Sequence, residues 1–282
     1  MIFNFIYKKI YLFIITITIL LILSFFNYFF KNNDELSIFK NCNIDPIKFI
    51  PKNSTVIIGH AYGSPLNANK ESFIAKKIEL FFNQNKENIK RVIFTGDIFW
   101  EPSIKKWNKL FNDYNKVFKM HIAPGNHEVD LLSKIDIFKM SNFRSDDYYK
   151  FNISKKDSFF IENSIINNWE LNPELIEYFN NNSNNNFILF RHNIPIQELV
   201  QFANSKSLMS KNLSSVSNLQ KQLTNIDSLT IISGDSGAFK ELPRLTCHIY
   251  KNIKFITNGI GDIEEDKILV INNNTIYSYN LK

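Results

Sequence analysis

The longest apolar run is Ile10 to Phe30, IYLFIITITILLILSFFNYFF, which carries no charged residue. As a helix rising about 1.5 Å per residue it spans roughly 31 Å, one hydrocarbon core. It is apolar on every side, which sets it apart from the amphipathic helix of a soluble core. It is also longer than the apolar region of a cleaved signal peptide, and no small-residue cleavage site follows it. Lys8 and Lys9 precede the run, whereas Lys31 is followed by Asp34 and Glu35. By the positive-inside tendency the N-terminus stays inside and the remaining chain lies outside. The pattern predicts a signal-anchor in residues 1–36, a linker in 37–53 and a domain in 54–282. The bilayer is one partner, contacted through residues 10–30. The domain is expected on the outer (periplasmic or extracellular) side of the cell membrane.

Beyond the linker the pattern changes to short β-branched runs alternating with helical stripes. Thr55 to Gly59, Arg91 to Thr95, Val117 to Ala123, Phe187 to Arg191 and Leu229 to Ser233 read as buried strands. Between Lys70 and Asn83 the residues Phe73, Ile74, Ile78, Phe81 and Phe82 form a helical stripe. Ile104 to Tyr114 and Pro173 to Asn180 read as further helices, the second with Pro in its first turn. Tyr148 to Ile153 and Ser158 to Ile161 flank a hairpin turn. From Leu245 onward the chain reads as mostly strand, with turns at Asn258-Gly259 and Asn272 to Asn274. Strand followed by helix, repeated, is the mark of a layered α/β fold.

Composition narrows the picture only a little. Of 282 residues, 44% are hydrophobic and 21% charged, enough for a full core and too little charge for a disordered tail. The formal net charge is +6, but the lysines are scattered along the chain, so no nucleic-acid partner is expected. Cys42 and Cys247 lack a metal-knuckle spacing and are too few for a disulfide scaffold. The plain reading is two unpaired thiols, since a bridge needs oxidising conditions and a geometry that spacing alone does not supply. The oligomeric state is not legible.

Chemistry-bearing residues collect at the carboxyl ends of the predicted strands, where open α/β sheets bind ligands. Five tips stand out: His60-Ala61-Tyr62-Gly63, Gly96-Asp97, Gly125-Asn126-His127-Glu128, His192-Asn193 and Gly234-Asp235-Ser236-Gly237. Carboxylates, an amide oxygen and imidazoles converging from separate loops suit a divalent transition metal. All five are expected at the same end of one sheet. His121 and His248 fall inside strands and read as structural. Glu101, Glu128 and the acidic run from Asp262 to Asp266 read as solvated loop carboxylates.

Gly96-Asp97 and Gly125-Asn126-His127-Glu128, spaced across a β-α-β unit, resemble the calcineurin-like metallophosphoesterases. The likeness covers roughly Thr55 to Gly261. It implies a layered β-sandwich flanked by helices, with Asp97 bridging metals, Asn126 ligating one and His127 serving the leaving group. His192 matches the family's later histidine ligand. Two motifs depart from the pattern. Where the family has D-x-H-G this chain has His60-Ala61-Tyr62-Gly63, with His60 in place of the Asp or, slid by two, His60 on the His and Ile58 on the Asp, and where the family has G-H-x-H it has Gly234-Asp235-Ser236-Gly237. The resemblance therefore implies one well-held metal on Asp97, Asn126, His192 and Asp235. A second position, keeping His60 and Asp97 but missing a ligand at Gly237, is weak or absent. The donor set suits Mn, Fe or Zn. His60 is expected to contact phosphate or support the site. The implied activity is metal-dependent hydrolysis of a phosphomonoester or phosphodiester, on a phosphorylated small molecule or glycan such as an envelope or surface-polysaccharide intermediate. The alternative is a degenerate relative that binds a phosphorylated ligand or a partner. The Gly-Asp-Ser-Gly segment also resembles the nucleophile region of trypsin-like proteases, but strand–helix alternation contradicts a double β-barrel.

Overall fold

The computed structural model describes residues 15–22, 36–69, 72–128, 148–152, 157–182, 186–203, 213–237 and 241–281. The chain divides into two units, Met1–Lys40 and Asn41–Lys282. In the first, residues 15–22 are helical and their leucines and isoleucines are exposed. The rest of the predicted membrane segment, 10–14 and 23–30, lies outside the described residues. Among the described residues no helix is long and apolar enough to cross a membrane.

The second unit is built on two sheets. Its strands are β1 (Lys40–Asn41), β2 (Pro46–Ile47), β3 (Ser54–Ile58), β4 (Ile89–Phe94), β5 (Lys119–Ile122), β6 (Tyr148–Asn152), β7 (Asp157–Glu162) and β8 (Asn186–Arg191). They continue with β9 (Ser228–Ser233), β10 (Leu245–Tyr250), β11 (Ile253–Asn258), β12 (Lys267–Asn272) and β13 (Thr275–Asn280). The helices are α1 (Lys76–Asn85), α2 (Ile104–Tyr114), α3 (Pro173–Asn181) and α4 (Val216–Gln222), with a 3-10 helix at Gln197–Phe202. One sheet has six strands in the order β2-β13-β12-β3-β4-β5, the other seven in the order β1-β10-β11-β9-β8-β7-β6. The two sheets agree with the layered sandwich that the resemblance implies, but the five tips expected at one sheet's end are divided between both. In each, the site-bearing strands run parallel: β3, β4 and β5 in one, β7, β8, β9 and β11 in the other.

The alternation of side chains along each strand assigns the layers. In β4, Ile93 faces the other sheet and packs with Ile57, Leu269, Phe159, Phe190, Ile232 and Ile256. Its neighbours Val92 and Phe94 face α1 and α2, where Ile78, Phe82, Trp107 and Leu110 cover them. A strand buried on both faces reads as a continuous apolar run, which is why these strands show no period-two polarity. On the outer face of the seven-stranded sheet, Phe179 of α3 meets Phe160 edge-on at 5.1 Å and Phe187 at 4.7 Å. The result is helix, sheet, sheet, helix.

Local chemistry sets the element ends. Ser103 caps α2 by accepting the Lys106 N–H at 3.3 Å, and Asn172 caps α3 by accepting the Glu174 N–H at 2.8 Å ahead of Pro173. Asn273 and Asn274, at φ 46° and 64°, make the two-residue turn between β12 and β13 that such a hairpin demands. Asn258-Gly259, expected as a turn, instead follows on from β11. The hairpin turn sits at Lys251-Asn252, with Lys251 at φ 53°. The stripe from Phe73 is helical only from Lys76. The expectation of free thiols is also corrected: Cys42 and Cys247 form a disulfide. The cause is strand adjacency, because Cys42 donates its N–H to the Cys247 carbonyl at 3.0 Å and the two Cα atoms lie 5.1 Å apart.

Candidate metal centre and active site

The site lies where the carboxyl ends of both sheets' parallel strands meet. Each tip leaves its strand sharply. His60 follows β3 at φ 54° and Asp97 follows β4 at φ 54°, a conformation that costs an ordinary side chain about 1–3 kcal/mol and persists only when its surroundings over-determine it. The surroundings are visible. Glu128 is fully buried, and its carboxylate accepts the N–H groups of Asp97 at 2.8 Å, Ile98 at 2.8 Å and Gly125 at 2.9 Å. The reading of Glu128 as a solvated carboxylate is therefore overturned. It ties the β4 tip to the β5 tip, three donors being worth more to it than water. Burial pushes its pKa above the ordinary glutamate range, as does Asp97, while the Gly125 and Ile98 N–H groups pull the other way.

Two glycines make the room. At Gly96, φ 88°, an added Cβ falls 2.3 Å from the His192 ring, and at Gly125 one falls 2.2 Å from Asp97 Oδ1. Only glycine lets these backbones pass so close to the site.

All six predicted site residues come together. Asp97 Oδ2 lies 3.3 Å from His60 Nε2, and Asp97 Oδ1 lies 3.4 Å from His192 Nε2. Asp235 Oδ1 lies 3.8 Å from His60 Nε2 and 3.9 Å from His192 Nε2. Asn126 Oδ1 lies 3.1 Å from His192 Nε2. His127 stands at the rim, its Nε2 3.8 Å from Asp97 Oδ2 and its backbone N–H donating to Asp97 Oδ1 at 3.3 Å. The side chains of His60, Asp97, His192 and Asp235 are at most 3% exposed, whereas that of His127 is 21% exposed.

The donor chemistry fits a cation. His192 Nδ1 sits 3.0 Å from the Thr95 carbonyl, which can only accept, so the proton belongs on Nδ1. Nε2 then presents a lone pair to Asn126 Oδ1 and to two carboxylate oxygens. Four acceptors face one another here, and of the four Asp97 Oδ1 accepts the His127 N–H. Burial pulls the His192 pKa down, but Asp97, Asp235 and the Thr95 carbonyl outweigh it and raise it above the ordinary histidine value. A positive charge is wanted there, and a divalent ion supplies it as a proton does. Among the described residues no group of three or more His, Cys, Asp or Glu side chains is arranged to hold a metal ion. The separations of 3.1 to 3.9 Å bracket the roughly 3.4 Å between donors about 2.1 Å from a tetrahedral cation. His60 lies in the same cluster, beside Asp97 and Asp235, and Gly237 has no side chain to add to it.

Several residues take other parts. Tyr62 packs edge-on to His60 at 4.8 Å and lies 5.4 Å from His127. Burial, then Asp97, Asp235 and Glu128, drive its pKa far up, so it remains a neutral phenol. Ser236 is buried and donates to the Pro243 carbonyl at 2.9 Å, which ties down the hydroxyl that a protease reading would need. Asp266, expected in a solvated turn, is fully buried between Lys77 at 2.8 Å and Arg244 at 3.5 Å. His121 stacks on Phe151 at 4.0 Å, and His248 stacks on Phe202 at 5.1 Å. Asn193 went unassigned in the sequence. Its amide donates to Asp235 Oδ2 at 3.1 Å while its Oδ1 accepts the Ser164 hydroxyl at 3.1 Å. Its place beside His192 at a strand tip was the one available signal.

A sequence profile of the calcineurin-like phosphoesterases matches residues 69–233. No curated protein matches the chain. Among solved structures, it is similar to an uncharacterised protein of Streptococcus pneumoniae described as a predicted phosphoesterase, at 10% identity and TM-score 0.30, covering 78% of this chain and 84% of that one. It is also similar to a putative 5'-nucleotidase of Staphylococcus aureus in complex with alpha-ketoglutarate, at 12% identity and TM-score 0.38. That match covers 81% of this chain and 53% of the nucleotidase, so the chain spans about half of it.

Proposed function

Because this chain belongs to the calcineurin-like phosphoesterase family, we propose that it is a membrane-anchored, metal-dependent hydrolase of a phosphomonoester or phosphodiester. The observation that carries the reading is the buried cluster of two carboxylates, two imidazoles and one amide around a common point. Asp97, Asn126, His192 and Asp235, joined by His60, would hold one divalent ion of the Mn, Fe or Zn type. Bound there, such an ion neutralises phosphoryl oxygens and lowers the pKa of water to roughly 7. The chain's own residues do the rest. His127 Nδ1 lies 2.6 Å from the Trp100 carbonyl, which holds a proton on that nitrogen; a second proton, on Nε2, would make the ring an imidazolium that passes it to the leaving oxygen and ends neutral. Asn126 and His60 present polar atoms to the same space and orient the phosphoryl group. Glu128 holds the Asp97 backbone while charge develops in front of it.

Placement outside the membrane is supported by the uncharged run 10–30 with Lys8 and Lys9 ahead of it, and by the Cys42–Cys247 bridge, which suits an oxidising compartment. A phosphorylated envelope or surface-polysaccharide intermediate is the substrate class that fits that location. The test uses the full chain purified in detergent, with p-nitrophenyl phosphate and bis(p-nitrophenyl) phosphate as substrates and Mn, Fe or Zn added. Hydrolysis lost on Asp97→Ala and on chelation is expected. Activity no greater than that of Asp97→Ala with every metal would defeat the proposal. In that case the second reading, a binding protein without turnover, gains ground; it is favoured by the glycine at position 237.

A further inference from the structure

A cleft opens at the end of the six-stranded sheet remote from the catalytic cluster. It encloses about 860 Å³ and is lined by Lys52, Lys90, Arg91 and Lys119, with Thr55 and Asn272 among the polar groups beside them. Arg91 is the second residue after the start of β4 and Asp97 lies beyond that strand's far end. The three strand steps from Arg91 to Phe94 span roughly 10 Å, and Asp97 lies three residues further on.

Arg91 is unusual for its position. The alternation of β4 points it to the same side as Ile93, into the space between the sheets, where it is only 9% exposed. Its guanidinium lies over the Phe151 ring at 5.2 Å and donates one bond, from Nη1 to Thr55 Oγ1 at 3.2 Å. Its Nε is buried and has no hydrogen-bond partner among the described residues. Among the described residues no carboxylate lines the cleft, and neither Arg91 nor the three lysines has an acidic partner. A guanidinium at an apolar floor with a spare donor, ringed by three exposed ammonium groups, is an arrangement whose missing element is an anion. A structural role for Arg91 would place a carboxylate against it, as Glu162 stands against buried Arg191 at 3.2 Å in this same protein.

We propose that this cleft is a second ligand site, for a multivalent oxyanion of the phosphate type, distinct from the catalytic cluster. Arg91 engages the anion through its guanidinium while Lys52, Lys90 and Lys119 neutralise it. The site does not depend on the phosphoesterase reading, and it stands even if the chain turns nothing over. The same chemistry can come from a soluble phosphate or from a phospholipid headgroup.

The experiment measures tripolyphosphate binding by calorimetry at low salt, on full chain carrying Asp97→Ala so that the catalytic cluster is disabled. Binding is expected to persist in that background. Lys90→Ala with Lys119→Ala should weaken it about tenfold, since two exposed ion pairs each contribute a few-fold. Arg91→Gln should weaken it further. The lysines are exposed and removing them leaves the core intact, so this pair decides the matter even if Arg91→Gln fails to fold. No binding in the Asp97→Ala chain, unchanged affinity in the lysine pair, or unchanged affinity in a folded Arg91→Gln chain would each overturn the proposal. Competition assigns the source: displacement by inorganic phosphate supports a soluble ligand, displacement by dihexanoyl phosphatidic acid a lipid headgroup, and displacement by neither overturns the site.

Discussion

Glu128→Ala is the substitution for which the structure allows the fullest calculation. The side chain is fully buried and accepts three backbone N–H groups, from Asp97, Ile98 and Gly125. Alanine leaves three donors without a partner in a space water does not reach. Each orphaned buried donor costs about 1–3 kcal/mol, so the loss is about 3–6 kcal/mol once partial relaxation is allowed. Against a total stability of about 5–15 kcal/mol that is severe. Glu128→Gln is the control. Its amide oxygen can keep the two bonds made by Oε2, to Asp97 and Gly125, and its NH2 opposes only the Ile98 N–H. The expected cost is one unmade bond, about 1–3 kcal/mol. Urea unfolding of the full chain, read from the shift of midpoint at constant slope, measures both. Hydrolysis by Glu128→Gln should fall as well, because the Asp97 tip loosens, while a chain still folded keeps its disulfide. A Glu128→Ala loss under about 1 kcal/mol, or a Gln loss equal to the Ala loss, would refute the counting of hydrogen bonds on which the argument rests.

Three further outcomes follow from other parts of the fold. Reducing the Cys42–Cys247 bridge, or Cys247→Ala, should destabilise the domain by about 2–5 kcal/mol, since the two residues are 205 apart in sequence; an unchanged urea midpoint after reduction would contradict it. Gly96→Ala drives a Cβ to 2.3 Å from the His192 ring at a left-handed φ, and it should abolish hydrolysis while lowering the thermal midpoint by several degrees. The pKa of His248 is lowered from 6.5 because burial disfavours its charged form. The unfolded chain therefore binds the proton more readily, and stability contributed above pH 6.5 is lost as pH falls below it. His248→Phe should flatten that acid slope, as seen in urea midpoints taken between pH 7 and pH 5.

The cluster at the strand tips was legible because each of its parts is written in one continuous stretch. A β-branched run ending in Gly-Asp or in Gly-Asn-His-Glu states both a strand and the chemistry at its tip, and Asp97, Asn126, His192 and Asp235 could be named without knowing which strands pair. What pairing decides stayed hidden. The assignment of each strand to one sheet or the other, the meeting of Cys42 with Cys247 and the burial of Asp266 all depend on register between segments more than a hundred residues apart or on distant partners. Glu128 was misjudged because its three partners are backbone N–H groups, which no side-chain pattern reports. The basic cleft shows the same limit: Lys52, Lys90, Arg91 and Lys119 look scattered in the sequence, yet parallel register brings the starts of neighbouring strands side by side.

The two departures from the family pattern meet in space, and this changes how they are to be understood. In the first motif histidine stands where aspartate was expected, and in the last aspartate stands where histidine was expected. His60 Nε2 and Asp235 Oδ1 lie 3.8 Å apart, and each also faces His192 or Asp97. The exchange of aspartate and histidine between the motifs keeps two carboxylates and two imidazoles in the cluster, while Tyr62 and Gly237 leave out the further histidine that each family motif carries. Single reversals break that balance in opposite senses. His60→Asp places three carboxylates in one buried space, and Asp235→His leaves one carboxylate among three imidazoles. Both should be strongly destabilising and should weaken metal uptake, because like charges or uncompensated bases then face each other out of water. The double reversal restores the count. Groups in contact within one such network couple by about 0.5–3 kcal/mol, so the double variant should be more stable than the sum of the singles by about that amount. A thermodynamic cycle from urea unfolding, with manganese retention on gel filtration as its companion, measures it. Strict additivity of the two single losses would mean that the two motifs had decayed independently, and that the cluster is a relic rather than a rearranged site.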